Sequence, residues 1–345
     1  MKKWISVCIC IALIGIILFN RTPPQKKQQT IQKTVSPTSI IPTFSRGIFV
    51  PYWSSIEDVS EEKYDTYYYF GVQPTAQGTL ENESGLQSIR LVKNIPEKQK
   101  KLVLRMLDST ITEVLLDEKQ AQKELSSQLT AILSTHSFSG IVLDIEVPFT
   151  LNPDKKDKIT KLVQLMCTAI QSDYKTCSLL IYGDSFYKSR PYDIKKLGSI
   201  VDTILIMAYD FHKAGGEPGP NFPFSEKQKY GYDFKQMITD FLTNVPHEKI
   251  EVVFGMYGYD WTLNEQGMPL KTAAARSVNA IKLQVESSIV KVIDNEAREK
   301  KIEYVDGLGK KHILWYEDEE SAAVKTKYLQ QQGVGRVSFW AQSYF

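Results

Sequence analysis

The densest chemistry in the chain lies in Ser139-Gly140-Ile141-Val142-Leu143-Asp144-Ile145-Glu146, an apolar run that ends in two carboxylic acids. Such a run reads as a buried strand. Side chains alternate along a strand, so Val142, Asp144 and Glu146 share one face while Ile141, Leu143 and Ile145 share the other. An acid in an apolar strand costs several kcal/mol unless it is paired or hydrogen-bonded, so two of them in one place call for a purpose. Two residue rises separate the acids by about 7 Å on the same side. From there they cannot straddle a sugar ring, as the two carboxylates of ordinary retaining and inverting glycosidases do. A scheme in which the substrate's own 2-acetamido oxygen is the nucleophile has no such need.

The elements that would position these acids are legible from Arg46 onward, where short β-rich apolar runs alternate with longer amphipathic segments. That is the pattern of a parallel sheet covered by helices. Eight runs read as strands: 47–53, 66–71, 101–107, 139–146, 177–182, 201–209, 250–257 and 335–340. Between them the apolar spacing is helical, as at Leu125, Leu129, Ile132 and Leu133, at Ile159, Leu162, Val163, Met166 and Ile170, and at Phe234, Met237, Ile238, Phe241, Leu242 and Val245. Eight such units in about 300 residues fit an α/β fold of the closed (β/α)8, or TIM, barrel type, whose catalytic groups sit at the C-terminal ends of the strands. A doubly wound sheet would carry a glycine-rich phosphate turn. Gly307-Leu308-Gly309-Lys310 lacks that spacing and reads as a hairpin turn. The gap between the seventh and eighth runs exceeds what one crossover helix needs, which implies a small α+β insertion over about 272–317. Its expected parts are a helix over 273–286, a second helix near 290–300 and a hairpin pairing 302–304 with 312–316.

Further motifs follow the acidic strand in order: Met207-Ala208-Tyr209-Asp210 in the sixth run and Val337-Ser338-Phe339-Trp340 in the eighth. Together they resemble glycoside hydrolase family 18, the chitinase-like family, whose fourth-strand signature is Asp-x-x-Asp-x-Asp-x-Glu. Asp144 and Glu146 match its last two positions, and Ser139 and Val142 replace the first two. Met207–Asp210 matches the family's Met-x-Tyr-Asp, and Trp340 its eighth-strand tryptophan. The segments 67–71, Gly258-Tyr259-Asp260-Trp261 and Trp315-Tyr316-Glu317-Asp318 look like the bacterial branch that contains spore-cortex and peptidoglycan-lytic enzymes. The resemblance covers about residues 46–345. It breaks at the third strand, where Leu104-Arg105-Met106-Leu107-Asp108 stands in place of Ser-x-Gly-Gly, and at Val142, where the acid that shares the inner aspartate's proton is missing.

The resemblance implies a retaining, substrate-assisted hydrolase of β-linked glycans that contain N-acetylglucosamine, of the peptidoglycan or chitin type. In that scheme Glu146 protonates the leaving oxygen and later activates water. Asp144 orients the acetamido group and supports the oxazolinium charge, Tyr209 hydrogen-bonds the acetamido oxygen, and Trp340 stacks beneath the sugar. Tyr52, Tyr257, Met207 and Asp210 are further candidates for substrate contact. The alternative is a non-catalytic, lectin-like barrel. Loss of two signature acids favours it, and retention of Glu146 favours the hydrolase.

Composition bounds the rest. A net charge of +2, from 42 basic and 40 acidic residues, argues against a dedicated nucleic-acid binder. The four histidines and four cysteines lack metal-site spacing, so neither metal nor other cofactor is expected; Cys167 and Cys177 could form one disulfide. Lys2 and Lys3 precede an uncharged run from Trp4 to Phe19, which reads as an uncleaved signal anchor over 1–20. Residues 21–45, rich in Pro, Gln, Thr, Ser and Lys, read as a flexible tether. The expected molecule is a monomer whose body, residues 46–345, lies outside the cell membrane, with secretion as the alternative.

Overall fold

The computed structural model describes residues 44–344 apart from 56–63, 82, 148–153 and 285–290. The expected anchor over 1–20 and nearly all of the tether lie outside the described residues. Among the described residues no helix is long and apolar enough to cross a membrane.

Eight parallel strands close a barrel: β1 (Ser45–Pro51), β2 (Thr66–Val72), β3 (Lys100–Met106), β4 (Gly140–Ile145), β5 (Thr176–Tyr182), β6 (Thr203–Ala208), β7 (Ile250–Gly255) and, last in the chain, a strand over Arg336–Trp340 that pairs with both β7 and β1. This is the expected TIM barrel, and all eight runs supply its strands. The alternation that made them legible divides the core in two. One face of each strand packs outward against the helices, with Ile141, Leu143 and Ile145 of β4 among fully buried neighbours from Leu125–Leu133 and Ile159–Ile170. The other face fills the barrel with Phe49, Tyr68, Phe70, Val103, Val142, Leu180, Leu205, Met207 and Val253. Helix starts are fixed locally. Asp108, Asp233 and Asp318 each accept hydrogen bonds from the first-turn amides of the helix that follows, and Ser321 completes a capping box with Asp318. A buried disulfide, Cys167–Cys177, joins the Asp154–Ser172 helix to β5.

The insertion is a five-stranded antiparallel sheet plus one short helix. In chain order its strands are β8 (Tyr257–Leu263), β9 (Ala274–Ser277), β10 (Lys291–Ile293), β11 (Lys300–Val305) and β12 (Lys311–Tyr316), which makes the final barrel strand β13. Their spatial order is β10-β11-β12-β8-β9. Two helix expectations change here. Among its described residues, the segment 273–286 forms strand β9 and then a helix over Val278–Gln284. The second helix, near 290–300, is instead strand β10, paired with Lys300–Ile302. Its Val292-Ile293 pair is β-branched, and the edge of β11 offers it a ladder that an isolated helix of about eleven residues could not match.

The insertion is tied to the barrel by charge buried in the dry interior. Lys325, Glu299 and Glu317 are all fully buried. Lys325 Nζ lies 2.7 Å from Glu299 Oε1, 2.9 Å from Glu317 Oε1 and 2.7 Å from the carbonyl of Phe222. Glu299 also accepts the backbone N–H groups of Asn221 and Phe222, at 2.5 and 2.7 Å. One cation faces two carboxyl groups, so one proton must stay. Burial pushes Glu317 up to about 8, Lys325 opposing the rise and Glu299 adding to it. Burial acts to discharge Lys325, but Glu299 and Glu317 together outweigh it and hold the lysine charged.

Two outcomes follow for stability. Lys325→Met should cost about 3–5 kcal/mol, read by denaturant unfolding, because two buried acids lose their only cation. Glu317→Gln mimics the protonated acid. A carboxyl whose folded pKa lies above its ordinary value near 4.5 stabilises fully below that value and loses the contribution as pH rises towards 8. The melting temperature of Glu317→Gln relative to wild type should therefore climb between pH 5 and pH 8, and a constant difference would contradict the proton assignment.

Candidate active site

The closed end of β4 delivers its two acids to different depths. Val142 is locked in the apolar barrel filling, Asp144 above it is 1% exposed, and Glu146, one residue past the strand, is half-buried. Its backbone is clamped on both sides. Tyr192 donates its hydroxyl to the carbonyl of Ile145 at 2.6 Å and accepts the N–H of Val147 at 3.3 Å, while Glu146 N–H reaches the carbonyl of Met106 at 3.2 Å. Glu146 Oε2 accepts a 2.6 Å hydrogen bond from Tyr182, the last residue of β5. Tyr182 is itself covered by Arg190, whose guanidinium carbon lies 3.9 Å from the ring centre, with Lys213 Nζ at 5.5 Å.

The electrostatics follow from this placement. Burial pushes the Asp144 carboxyl well above the ordinary carboxylate range, the Glu146 charge pushes it further, and Arg105 on the neighbouring strand opposes both. Burial also raises Glu146; the Tyr182 hydrogen bond and the charges of Lys213 and Arg190 work against the rise, and Asp210 works with it. Tyr209 stands where the fields of Glu146, Asp144 and Asp210 overlap. Burial and those three charges keep its phenol neutral, and so a hydrogen-bond donor.

Asp210 follows Tyr209 in a left-handed backbone conformation, φ 58°, which aspartate tolerates better than most residues. That turn aims its carboxylate sideways, where Oδ1 accepts the hydroxyls of Tyr257 and of Tyr259, the latter at 2.8 Å. Its N–H is held by Asn221 Oδ1 at 2.8 Å, and Asn221 Nδ2 spans the carbonyls of Gly255 and Tyr257. Gly255 lies on the inward face of β7. A Cβ there would come within 2.7 Å of Tyr209 and within 2.6 Å of Tyr257, so the missing side chain is what admits both rings.

The sequence-predicted residues therefore fall into groups. Asp144, Glu146 and Tyr209 converge at the mouth of the barrel. Tyr257 and Asp210 are bonded to each other beside them. Met207, 3% exposed, lies in the barrel filling below. Trp340 ends β13 among Phe70, Phe49 and Trp53, with ring centres 4.6, 5.7 and 6.2 Å away. Tyr52 sits under the Arg105 guanidinium at 5.0 Å and edge-on to Trp53. Sequence reasoning passed over Tyr182, Tyr192, Arg105 and Trp53. Strand parity was the available signal for Tyr182, which shares the inward face of Leu180, and for Arg105, which shares that of Val103. Trp53, 49% exposed beside Trp340, carried none. Among the described residues no group of three histidine, cysteine or acidic side chains is placed to hold a metal ion.

Known proteins share the fold. The glycosylase YvbX of Bacillus subtilis is 23% identical over 99% of this chain and 95% of its own length. The cortical fragment-lytic enzyme of Bacillus anthracis is 25% identical over 79% of this chain, and that of Bacillus subtilis 28% identical over 66%; the matches span 63% and 52% of those two proteins. Among solved structures, the spore cortex-lytic enzyme SleL of Bacillus cereus superposes with a TM-score of 0.70 at 20% identity, covering 88% of this chain and 71% of SleL. A chitinase from Chromobacterium violaceum gives 0.71 at 17% identity, covering 87% and 95%. Residues 49–344 match the profile of glycosyl hydrolases family 18, and with nearly the whole barrel inside that match, the chain belongs to that family.

Proposed function

We propose that this chain hydrolyses β-linked, N-acetylglucosamine-containing glycans of the bacterial cell wall by a retaining, substrate-assisted mechanism, with Glu146 as general acid and base. The observation that carries the reading is the Glu146 carboxyl itself. It is half-buried, raised above its ordinary range, oriented by the 2.6 Å bond from Tyr182, and set above a second, more deeply buried acid on the same strand. A carbohydrate-binding barrel has no use for such a group.

In the proposed reaction the 2-acetamido oxygen of the sugar attacks its own anomeric carbon as Glu146 protonates the departing oxygen. The oxazolinium ring then carries positive charge on nitrogen, which Asp144 supports, and the neutral Tyr209 phenol donates to the acetamido oxygen to aim its attack. Glu146, now a carboxylate, draws a proton from water as that water opens the ring and restores the original anomeric configuration. Trp340 and the exposed Trp53 offer aromatic faces to the sugar, while Asp210 and Tyr257 fix the wall beside Tyr209. The cell-wall substrate rests on the cortical fragment-lytic relatives, and chitin is the second candidate because chitinases share the fold. Action outside the cytoplasm, held by the apolar run at 4–19, is supported by the lysine-flanked sequence of that run and by the buried Cys167–Cys177 disulfide, a bond typical of oxidising compartments.

Two measurements test the reading. Glu146→Gln should lower turnover of peptidoglycan fragments or chitin oligosaccharides by at least ~10²-fold while oligosaccharide binding persists; unchanged turnover would remove Glu146 from the mechanism. Glycans carrying a free 2-amine should be bound but barely cleaved, and rapid NMR of the acetylated substrate should show β-anomeric product. An α-anomer, or equal rates on both substrates, would replace substrate assistance with a second carboxylate.

A further inference from the structure

Asp144 has lost the acid that the family signature places two residues before it, since Val142 belongs to the apolar barrel filling and has no proton to share. A different group stands beside it. Arg105 on β3 is the register partner of Asp144 on β4, and it lies on the same inward face as Val103. The two side chains are 8% and 1% exposed. The guanidinium is held from its far side, where Nη2 donates to the carbonyl of Gly71 at 3.1 Å and pairs with Glu83, and where the rings of Tyr52 and Phe70 lie 5.0 and 5.5 Å away. After these contacts Arg105 Nε is buried without a hydrogen-bond partner, and so is Asp144 Oδ1. A buried donor and a buried acceptor left open on adjacent register partners complement each other.

Among the described residues, the other groups that act on Asp144 are not cations. They are Glu146 from its own strand, the neutral phenol of Tyr209 beyond β6, and Tyr192 from the segment after β5. The cations that act on Glu146 are Lys213 and Arg190. Each acid therefore has its own positive neighbour, and Arg105 belongs to Asp144.

We propose that Arg105 is a positioning residue of this site, which replaces the missing signature acid with a charge of opposite sign, orients Asp144 and supports its anionic form as the oxazolinium develops. The proposal rests on the hydrolase reading above. It explains how one departure from the family pattern, arginine in the third strand, answers the other, valine in the fourth. Glu83 sets the strength of the effect, because it draws on the same guanidinium from the opposite side.

The test is the pH profile of kcat/KM on peptidoglycan fragments, measured with the full chain. Removing the cation favours the protonated form of Asp144, so in Arg105→Met the acidic limb should move up by at least about one pH unit, with kcat falling ~10-fold or more and KM changing less. Arg105→Lys should return the limb to its wild-type position. Glu83→Gln leaves the barrel interior untouched and frees Arg105 from its competing carboxylate, so its acidic limb should move down; this variant decides the matter even if Arg105→Met does not fold. Acidic limbs that coincide with wild type in the arginine and Glu83 variants, whatever the rates, would overturn the proposal and leave Arg105 a packing residue. A wild-type chain that binds these glycans and cleaves none would overturn the hydrolase reading, and the proposal with it.

Discussion

Two carboxyl groups two residues apart, on a strand whose inner face the barrel seals from water, repel each other and are both poorly solvated. Closure of the barrel fixes that predicament, because strand alternation leaves Asp144 and Glu146 nowhere to point but inward. Much of what surrounds them addresses it. Tyr182 donates to the outer acid, Tyr192 fixes the backbone on either side of it, and Arg105, Lys213 and Arg190 bring positive charge to within reach of the pair without a direct ion bond to either. The acids keep raised pKa values, and the cations keep the rise in check.

A second buried charge system does a different job from a distance. Glu299, Glu317 and Lys325 neutralise one another through a single retained proton. Glu299 then spends two of its acceptor sites on the amides of Asn221 and Phe222. Asn221 in turn holds the N–H of Asp210 and the carbonyls of Gly255 and Tyr257. A continuous chain of hydrogen bonds thus runs from the root of the insertion to the residue after Tyr209. No member of it needs to touch substrate for its loss to misplace one that does.

The barrel was open to sequence reading because its strands obey one simple rule, period-two alternation with an apolar outward face, repeated eight times. Asp144, Glu146 and Tyr209 were legible for a related reason: polar groups at the ends of otherwise apolar runs have few structural excuses. The insertion obeyed no such rule. Strands β9 and β11 are largely exposed or half-exposed, and Lys291–Ile293 pairs with residues seven to eleven positions further along the chain, a contact that local propensity cannot report. Arg105 was hidden more thoroughly. It registered only as the absence of an expected motif, because its relation to Asp144 is a matter of sheet register, and register between strands separated by a helical crossover is not written in either strand alone.

The route by which the insertion leaves the barrel shapes how a polymer meets this surface. Only Met256 separates the last residue of β7 from the first of β8, and Met256 N–H is itself bonded to the carbonyl of Trp340. Tyr259, two residues further, already grips Asp210. This junction leaves a single residue of slack, and that residue is itself held. On the hydrolase reading, a lobe held this closely at its root presents a glycan with a wall already in place beside Tyr209, and little affinity is lost to ordering it. Such a wall would select by exclusion, turning away substituents that do not match its contour.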